Sequence, residues 1–289
     1  MSTTQMAGSQ VIAIQAIHEL DGRISWFPRG IRGYAPTNCY LVNGDGASLL
    51  IDTGLAADRA TVLGELERTL PSGHPLSVLL LRMSEFDSTS NLVEIEEMKP
   101  LERIYSTFDD APMWGAYSTE DEVLNAHHRA RLHRIEVNMI RGVENVTVGG
   151  RRLKLIRPLL RLLPTYWVYD ETTRVLYTSD SFGHVFADEE SAALAIRDGD
   201  KDPTTVDDVR RHLLETRYWW LAHAATSLLQ EDVQRIFSEH DVEAIAPARG
   251  AVLLGSEVVE RHVGLLTEVL GQLGDATAES LATERRAAV

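Results

Sequence analysis

The chain has 289 residues, 44% of them hydrophobic and 25% charged, a globular composition with enough length to bury a sizeable core. A formal charge of −15 and a sequence pI near 5.1 argue against nucleic acid and anionic membranes as partners. The single cysteine, Cys39, excludes an internal disulfide and fits a reducing, cytoplasmic setting.

The opening MSTTQMAGSQ lacks a basic and apolar leader pattern, so no signal peptide is expected. No apolar run approaches about 18 residues, so no membrane span is expected either. From Thr37, TNCYLVNGDGASLLIDTG reads as two strands around an Asn43-Gly44-Asp45-Gly46 turn, with Cys39, Leu41, Leu49 and Ile51 facing inward. Val62, Leu63, Leu66 and Leu70 then carry the spacing of an amphipathic helix. LSVLLL (76–81) is a continuous apolar run, the pattern of a strand buried on both faces. It stops at once in small, polar and acidic residues, where Ser88 or Thr89 is expected to cap a helix.

RIYSTF reads as a further strand, and YSTEDEVLNAHHRARLHRI as helix. The segments RIEVNMI, ENVTVGGRRLKLIRPLL and TYWVYDETTRVLYTSD alternate like antiparallel strands, turning at Gly149-Gly150 and Asp170-Glu171. Residues 188–240 read as largely helical, broken near Gly199 and Pro203. VEAIAP is a short final strand, and Ser256 is expected to cap a helix bearing Val259, Val263, Leu266, Leu270 and Leu273 on one face. Residues 275–289 form a tail that frays or packs on a partner. The simplest architecture is one α+β domain, an αββα sandwich of two sheets with helices outside.

Glu85, Asp87, Asp180 and Asp52 all follow predicted strand ends, where loops of such folds collect ligands. The stretches ISWFPRGIRGY, TNCYLV and LLIDTG resemble the opening of a metallo-β-lactamase-fold domain. The branch resembled is that of the flavodiiron and oxygen-binding di-iron proteins. Its metal loop, His-x-Glu-x-Asp-His, lines up with Met83-Ser84-Glu85-Phe86-Asp87-Ser88. Its next histidine aligns with Arg161 in PLLRLLP, its bridging aspartate with Asp180 in YTSDSFG, and its last histidine with Arg249 in APARGAV. The resemblance spans roughly residues 20–255 and does not extend to the family's flavodoxin domain.

All three carboxylates of the resembled site are present, and none of its four histidines is. Iron or zinc there relies on neutral imidazole nitrogens. Arginine has no lone pair to offer, and methionine is a soft thioether beside hard carboxylates. Uncompensated carboxylates would repel one another. Arg161 and Arg249 are therefore expected to stand in for the two cations through charge-assisted bonds to Glu85, Asp87 and Asp180. No cofactor is expected. Any iron or zinc would rest on those three carboxylates, with His184 helping.

His184 follows SDSFG directly and is a candidate acid/base group. His127, His128 and His133 are expected on a solvated helix face, and His223 in an apolar core. No serine–histidine–aspartate spacing supports a hydrolase triad. Three functions follow. In the first, Arg161, Arg249 and Arg82 bind a small anionic or carbonyl-bearing molecule beside Met83, Asp87 and Ser88, with Asp180, Glu85 or His184 moving protons. In the second, a metal-dependent oxidoreductase or hydrolase uses Glu85, Asp87 and Asp180. In the third, the fold persists as a non-catalytic scaffold or sensor, its pocket filled by salt bridges. The resemblance further implies a homodimer.

Overall fold

A computed structural model of the chain describes residues 3–83, 85–115 and 122–276. The expected end of the tail (277–289) and Ser84 lie outside the described residues. Two seven-stranded mixed sheets pack face to face with helices on their outer surfaces, the αββα arrangement read from the sequence.

The first sheet runs in chain order. It comprises β1 (Thr3–Gln5), β2 (Val11–Glu19), β3 (Tyr34–Asn43), β4 (Ser48–Ile51), β5 (Leu76–Leu80), β6 (Leu101–Ser106) and β7 (Glu136–Met139). Its helices are α1 (Arg59–Thr69), α2 (Phe86–Thr89), α3 (Leu92–Met98), α4 (Ala111–Gly115) and α5 (Glu122–Leu132). The second sheet adds β8 (Asn145–Val148), β9 (Arg151–Ile156), β10 (Trp167–Asp170), β11 (Val175–Ser179), β12 (Ala195–Arg197), β13 (Ala244–Pro247) and β14 (Val252–Leu254), in the order β12-β14-β13-β11-β10-β9-β8. It is covered by α6 (Val206–Leu214), α7 (Thr226–Glu239) and α8 (Ser256–Leu273).

The Asn43–Gly46 turn joins β3 to β4, closed by Gly44 N–H on the Ala47 carbonyl at 2.8 Å. The glycine pair Gly149-Gly150 turns β8 into β9. Several expectations are corrected. The inward set splits between faces: Cys39 and Leu41 meet the helices, whereas Leu49 and Ile51 meet the second sheet. β7 pairs parallel with β6 rather than antiparallel in the second group of strands. The segment 188–240 contains β12, an edge strand, so it is not continuous helix. Ser88 lies inside α2, whose N-cap is Glu85, and Gly255 rather than Ser256 stands at the N-cap of α8. Among the histidines, His128 is buried on α5 and His223 is exposed, the reverse of the expected placement. Strand β1 (TTQ) and strand β2, whose VIAIQAIHE is a mostly buried run, have no counterpart in the sequence expectations.

Topology places the site. β4 runs parallel to β5, and β11 parallel to β13. Asp52 and Asp180 directly follow the C-terminal ends of β4 and β11, and Arg82 and Arg249 lie two residues beyond those of β5 and β13. Gly183 and Gly250 let two of these loops touch: a Cβ on Gly183 would lie 2.9 Å from the Arg249 carbonyl, and one on Gly250 would lie 2.8 Å from the Gly183 carbonyl.

Candidate functional site: a buried guanidinium–carboxylate cluster

Asp52 leaves β4 with φ at +59°, a conformation that costs a non-glycine residue about 1–2 kcal/mol. The turn aims its carboxylate inward. Oδ1 accepts from Leu81 N–H at 3.0 Å and from the Ser88 hydroxyl, while Oδ2 accepts from Arg82 Nη2 at 3.0 Å and Nε at 3.3 Å. The Arg82 side chain has no solvent exposure. Its Nη1 lies 2.9 Å from both oxygens of Asp87 and 3.6 Å from Asp180 Oδ1.

Arg249 closes the cluster from the second sheet. Its Nε donates to Asp87 Oδ2 at 2.8 Å, Nη1 to Asp180 Oδ1 at 2.9 Å, and Nη2 to Glu85 Oε2 at 3.1 Å. The loop carrying it is fixed to β3 by Asn38, whose side-chain nitrogen donates to the carbonyls of Pro247 at 2.8 Å and Gly250 at 2.9 Å. The indole of Trp26 lies under the guanidinium, 5.0 Å to the ring centroid. Arg217 then grips both oxygens of Glu85 from the segment after α6. That outer pair keeps side-chain exposures of 29% and 18%, so it forms the solvent-facing lid of the cluster.

Three guanidinium groups thus face the carboxylates of Asp52, Glu85, Asp87 and Asp180. Burial works against the charge on Asp87, but Arg82 and Arg249 outweigh it and bring the carboxyl down to about 2. Burial likewise opposes the charge on Glu85, and Arg217 and Arg249 more than offset it. For Asp52 burial wins: its carboxyl is raised despite Arg82 and Ser88. The surplus carboxylate shows in the bonding, because Asp180 Oδ2 is buried with no hydrogen-bond partner.

The structure brings together Glu85, Asp87, Asp180, Arg82, Arg249 and Ser88 of the sequence-derived set. It separates three others. Arg161 does not reach the carboxylates; it stays half-buried on its loop and donates to the Pro158 carbonyl, so the expected second cation is supplied by Arg82 and Arg217. Met83 is buried in the apolar core between the first sheet and its helices. His184 is buried away from these carboxylates, its Nε2 2.9 Å from His262 Nδ1, while His262 Nε2 lies 3.2 Å from Asp202. Burial, then the neighbouring His262 and His212, holds the His184 imidazole well below its ordinary range. The sequence reading missed Arg217, which sits in an unremarkable helical pattern, and Trp26, although ISWFPRG contains it. Asp52 was noted only as a strand-end acid.

The di-iron centre implied by the resemblance does not fit these residues. Among the described residues no imidazole enters the cluster, guanidinium nitrogens carry no free lone pair, and Arg82 and Arg249 occupy the carboxylate faces that ions would need. Among the described residues, no group of three or more His, Cys, Asp and Glu is arranged to hold a metal ion.

No protein-family model and no curated protein matches the sequence. Solved structures do match the fold. Rubredoxin oxygen:oxidoreductase from Desulfovibrio gigas aligns with a TM-score of 0.65 and 16% identity over 93% of this chain and 62% of that one. A flavo di-iron protein mutant from Thermotoga maritima aligns at 0.63 and 17%, over 93% and 62%. Fragment 1–254 of diflavin flavoprotein A 5 from Nostoc sp. PCC 7120 aligns at 0.64 and 17%, over 94% of this chain and 95% of the fragment. The chain therefore spans about three fifths of the length of the first two proteins. With two mixed seven-stranded sheets between helices, the chain has the fold of the metallo-β-lactamase-like domain of flavodiiron proteins.

Proposed function

We propose that this chain is a metal-independent, non-catalytic variant of that fold, a scaffold or sensor whose former metal pocket is filled by salt bridges. One observation carries the reading: every nitrogen of Arg82 and of Arg249 is already engaged by Asp52, Asp87, Asp180 or Glu85, leaving neither of these two guanidiniums free for a substrate. Fixed cations favour the charged forms of Asp87 and Glu85 and keep the two sheets joined without an ion, the role bound metal plays in the site it resembles. The chain would act as a soluble homodimer or through a protein partner.

A second reading, a small-ligand site, is favoured by the unpartnered Asp180 Oδ2 beside the partly exposed Glu85–Arg217 lid. A thermal-shift series with Zn(II), Fe(II), small carboxylic acids and ketones separates the two. Saturation to 100 times Kd adds about 2.7 kcal/mol, a rise of about 5 °C at this size. The scaffold predicts no such rise. A saturable rise with an acid or ketone overturns it in favour of the ligand site, and one with a metal overturns both.

A further inference from the structure

We infer that the outward face of the loop between β9 and β10 is a docking surface for an acidic segment of a partner protein, one that carries apolar side chains between its carboxylates. Residues 157–164, RPLLRLLP, form most of that loop. Their burial alternates. Pro158 and Leu160 are buried, and Leu162 packs on the same core as Leu160. Arg157, Leu159 and Leu163 are exposed, the two leucines at 48% and 59%, and Arg161 is half-buried among them. The loop thus turns its even-numbered residues to the protein and presents Arg-Leu-Arg-Leu to solvent. Helix α7 extends the apolar part. The Leu159 N–H donates to Asp232 Oδ2 at 2.7 Å, and Leu228, one helical turn before Asp232, is 57% exposed.

The two guanidiniums lack carboxylate partners on a chain of net charge −15. Among the described residues neither Arg157 nor Arg161 makes an ion pair. Asp232, whose charge favours that of Arg161, is already taken by the Leu159 N–H and by Arg235 at 2.7 Å. Burial, and then Arg157 beside it, hold Arg161 below its ordinary range, a repulsion that a partner's carboxylate would relieve. Leu163 holds φ at +53°, a region that disfavours any side chain with a Cβ, and it is not part of the apolar core that would hold it there. Charge decides the occupant. A whole acidic face, whether a second copy at −15 or an anionic bilayer, meets net repulsion. Fields decay over about 8 Å at physiological salt, so a short segment laid on the arginine pair feels the local positive charge. Guanidinium forks give its carboxylates directional partners, and the exposed leucines supply apolar area between them. This surface is where the scaffold of the preceding section would meet a protein partner, and its purpose rests on that reading. The peptide test below probes the loop and the thermal-shift series probes the cluster, so either can fail alone.

The test pans the whole chain against a phage-displayed library of linear peptides of about twelve residues. A selected peptide, made synthetically with a fluorophore, is expected to combine Asp or Glu with apolar residues. Its binding, read by anisotropy, should weaken at least about tenfold in the double variant Arg157→Glu/Arg161→Glu, and at least about fivefold from about 50 to 500 mM NaCl. Leu163→Gly should weaken it at least about threefold while Tm stays within about 2 °C of the parent, because glycine adopts that φ freely. No enrichment of acidic peptides, or binding indifferent to both variants, overturns the proposal. So does self-association abolished by the charge reversal, which would make the face a contact between copies. Charge-reversible binding to phosphatidylserine vesicles overturns it as well, in favour of a membrane surface. If the double variant fails to fold, Leu163→Gly and the salt dependence decide.

Discussion

Replacing Arg249 with methionine removes one guanidinium while keeping an unbranched apolar stem over Trp26. Asp180 loses its 2.9 Å partner and keeps only Arg82 at 3.6 Å; Asp87 loses one of two guanidiniums, and Glu85 retains Arg217. Leaving a buried charge without its partner costs about 3–5 kcal/mol. At about 2 °C per kcal/mol for a chain of this size, Tm should fall by about 6–10 °C at pH 7. The loss carries a pH signature. Asp87 in the intact cluster sits at about 2, below its unfolded value, so its contribution is present above about pH 4 and disappears as pH falls toward 2. Without Arg249 the stranded carboxylates take up protons more readily, so the gap between variant and parent should narrow from pH 7 to pH 4.5. Adding Asp180→Asn should recover part of the loss, as expected for two sites in one network. Thermal melts across pH 4.5–8 measure all of this. A variant whose Tm stays within about 2 °C of the parent at every pH would refute the claim that Arg249 holds the cluster together.

Arg161→Ala should change stability by no more than about 0.5 kcal/mol, since its guanidinium meets only a local carbonyl; a loss like that of Arg249 would place it in the cluster after all. Glu85→Gln alters the outer edge of the cluster, where Glu85 keeps 18% exposure, and should cost about 1–3 kcal/mol in a denaturant titration, below the loss from Arg249→Met. His184 and His212 are buried as neutral imidazoles, His212 held down to about 3 by burial and by Arg249. Their contribution is therefore complete above about pH 6.5 and is lost as pH falls below it, before Asp87 begins to titrate. His212→Phe should flatten the melting curve between pH 6.5 and 4.5, and an unchanged acid limb would contradict the assignment.

Much of the fold was legible because its signals are local. The Asn43–Gly46 turn, the apolar run at 76–80 and the Gly149-Gly150 hairpin each specify one conformation. The carboxylates were legible for the same reason: Glu85, Asp87 and Asp180 sit where strands end. Of the guanidinium partners, Arg249 was expected from the resemblance and does reach the carboxylates, but the roles of Arg82 and Arg217 were not legible, because pairing is a long-range property. Arg217 and Glu85 are 132 positions apart and meet only once α6 packs on the second sheet. Arg161 misled by position: alignment put it in a ligand place, but its loop turns the side chain onto Pro158. The buried Arg82, next to the apolar strand β5, carried the charge that Arg161 was expected to bring. β12 was hidden for a related reason, since a three-residue edge strand has too short an alternation to stand out among helical signals.

Elemental analysis of the untagged protein tests the central claim most directly. Guanidinium groups that have replaced metal ions predict less than about 0.1 iron, zinc or manganese per chain, with no iron–oxo absorption in the visible spectrum. About two irons or zincs per chain, retained through chelation with EDTA, would contradict it.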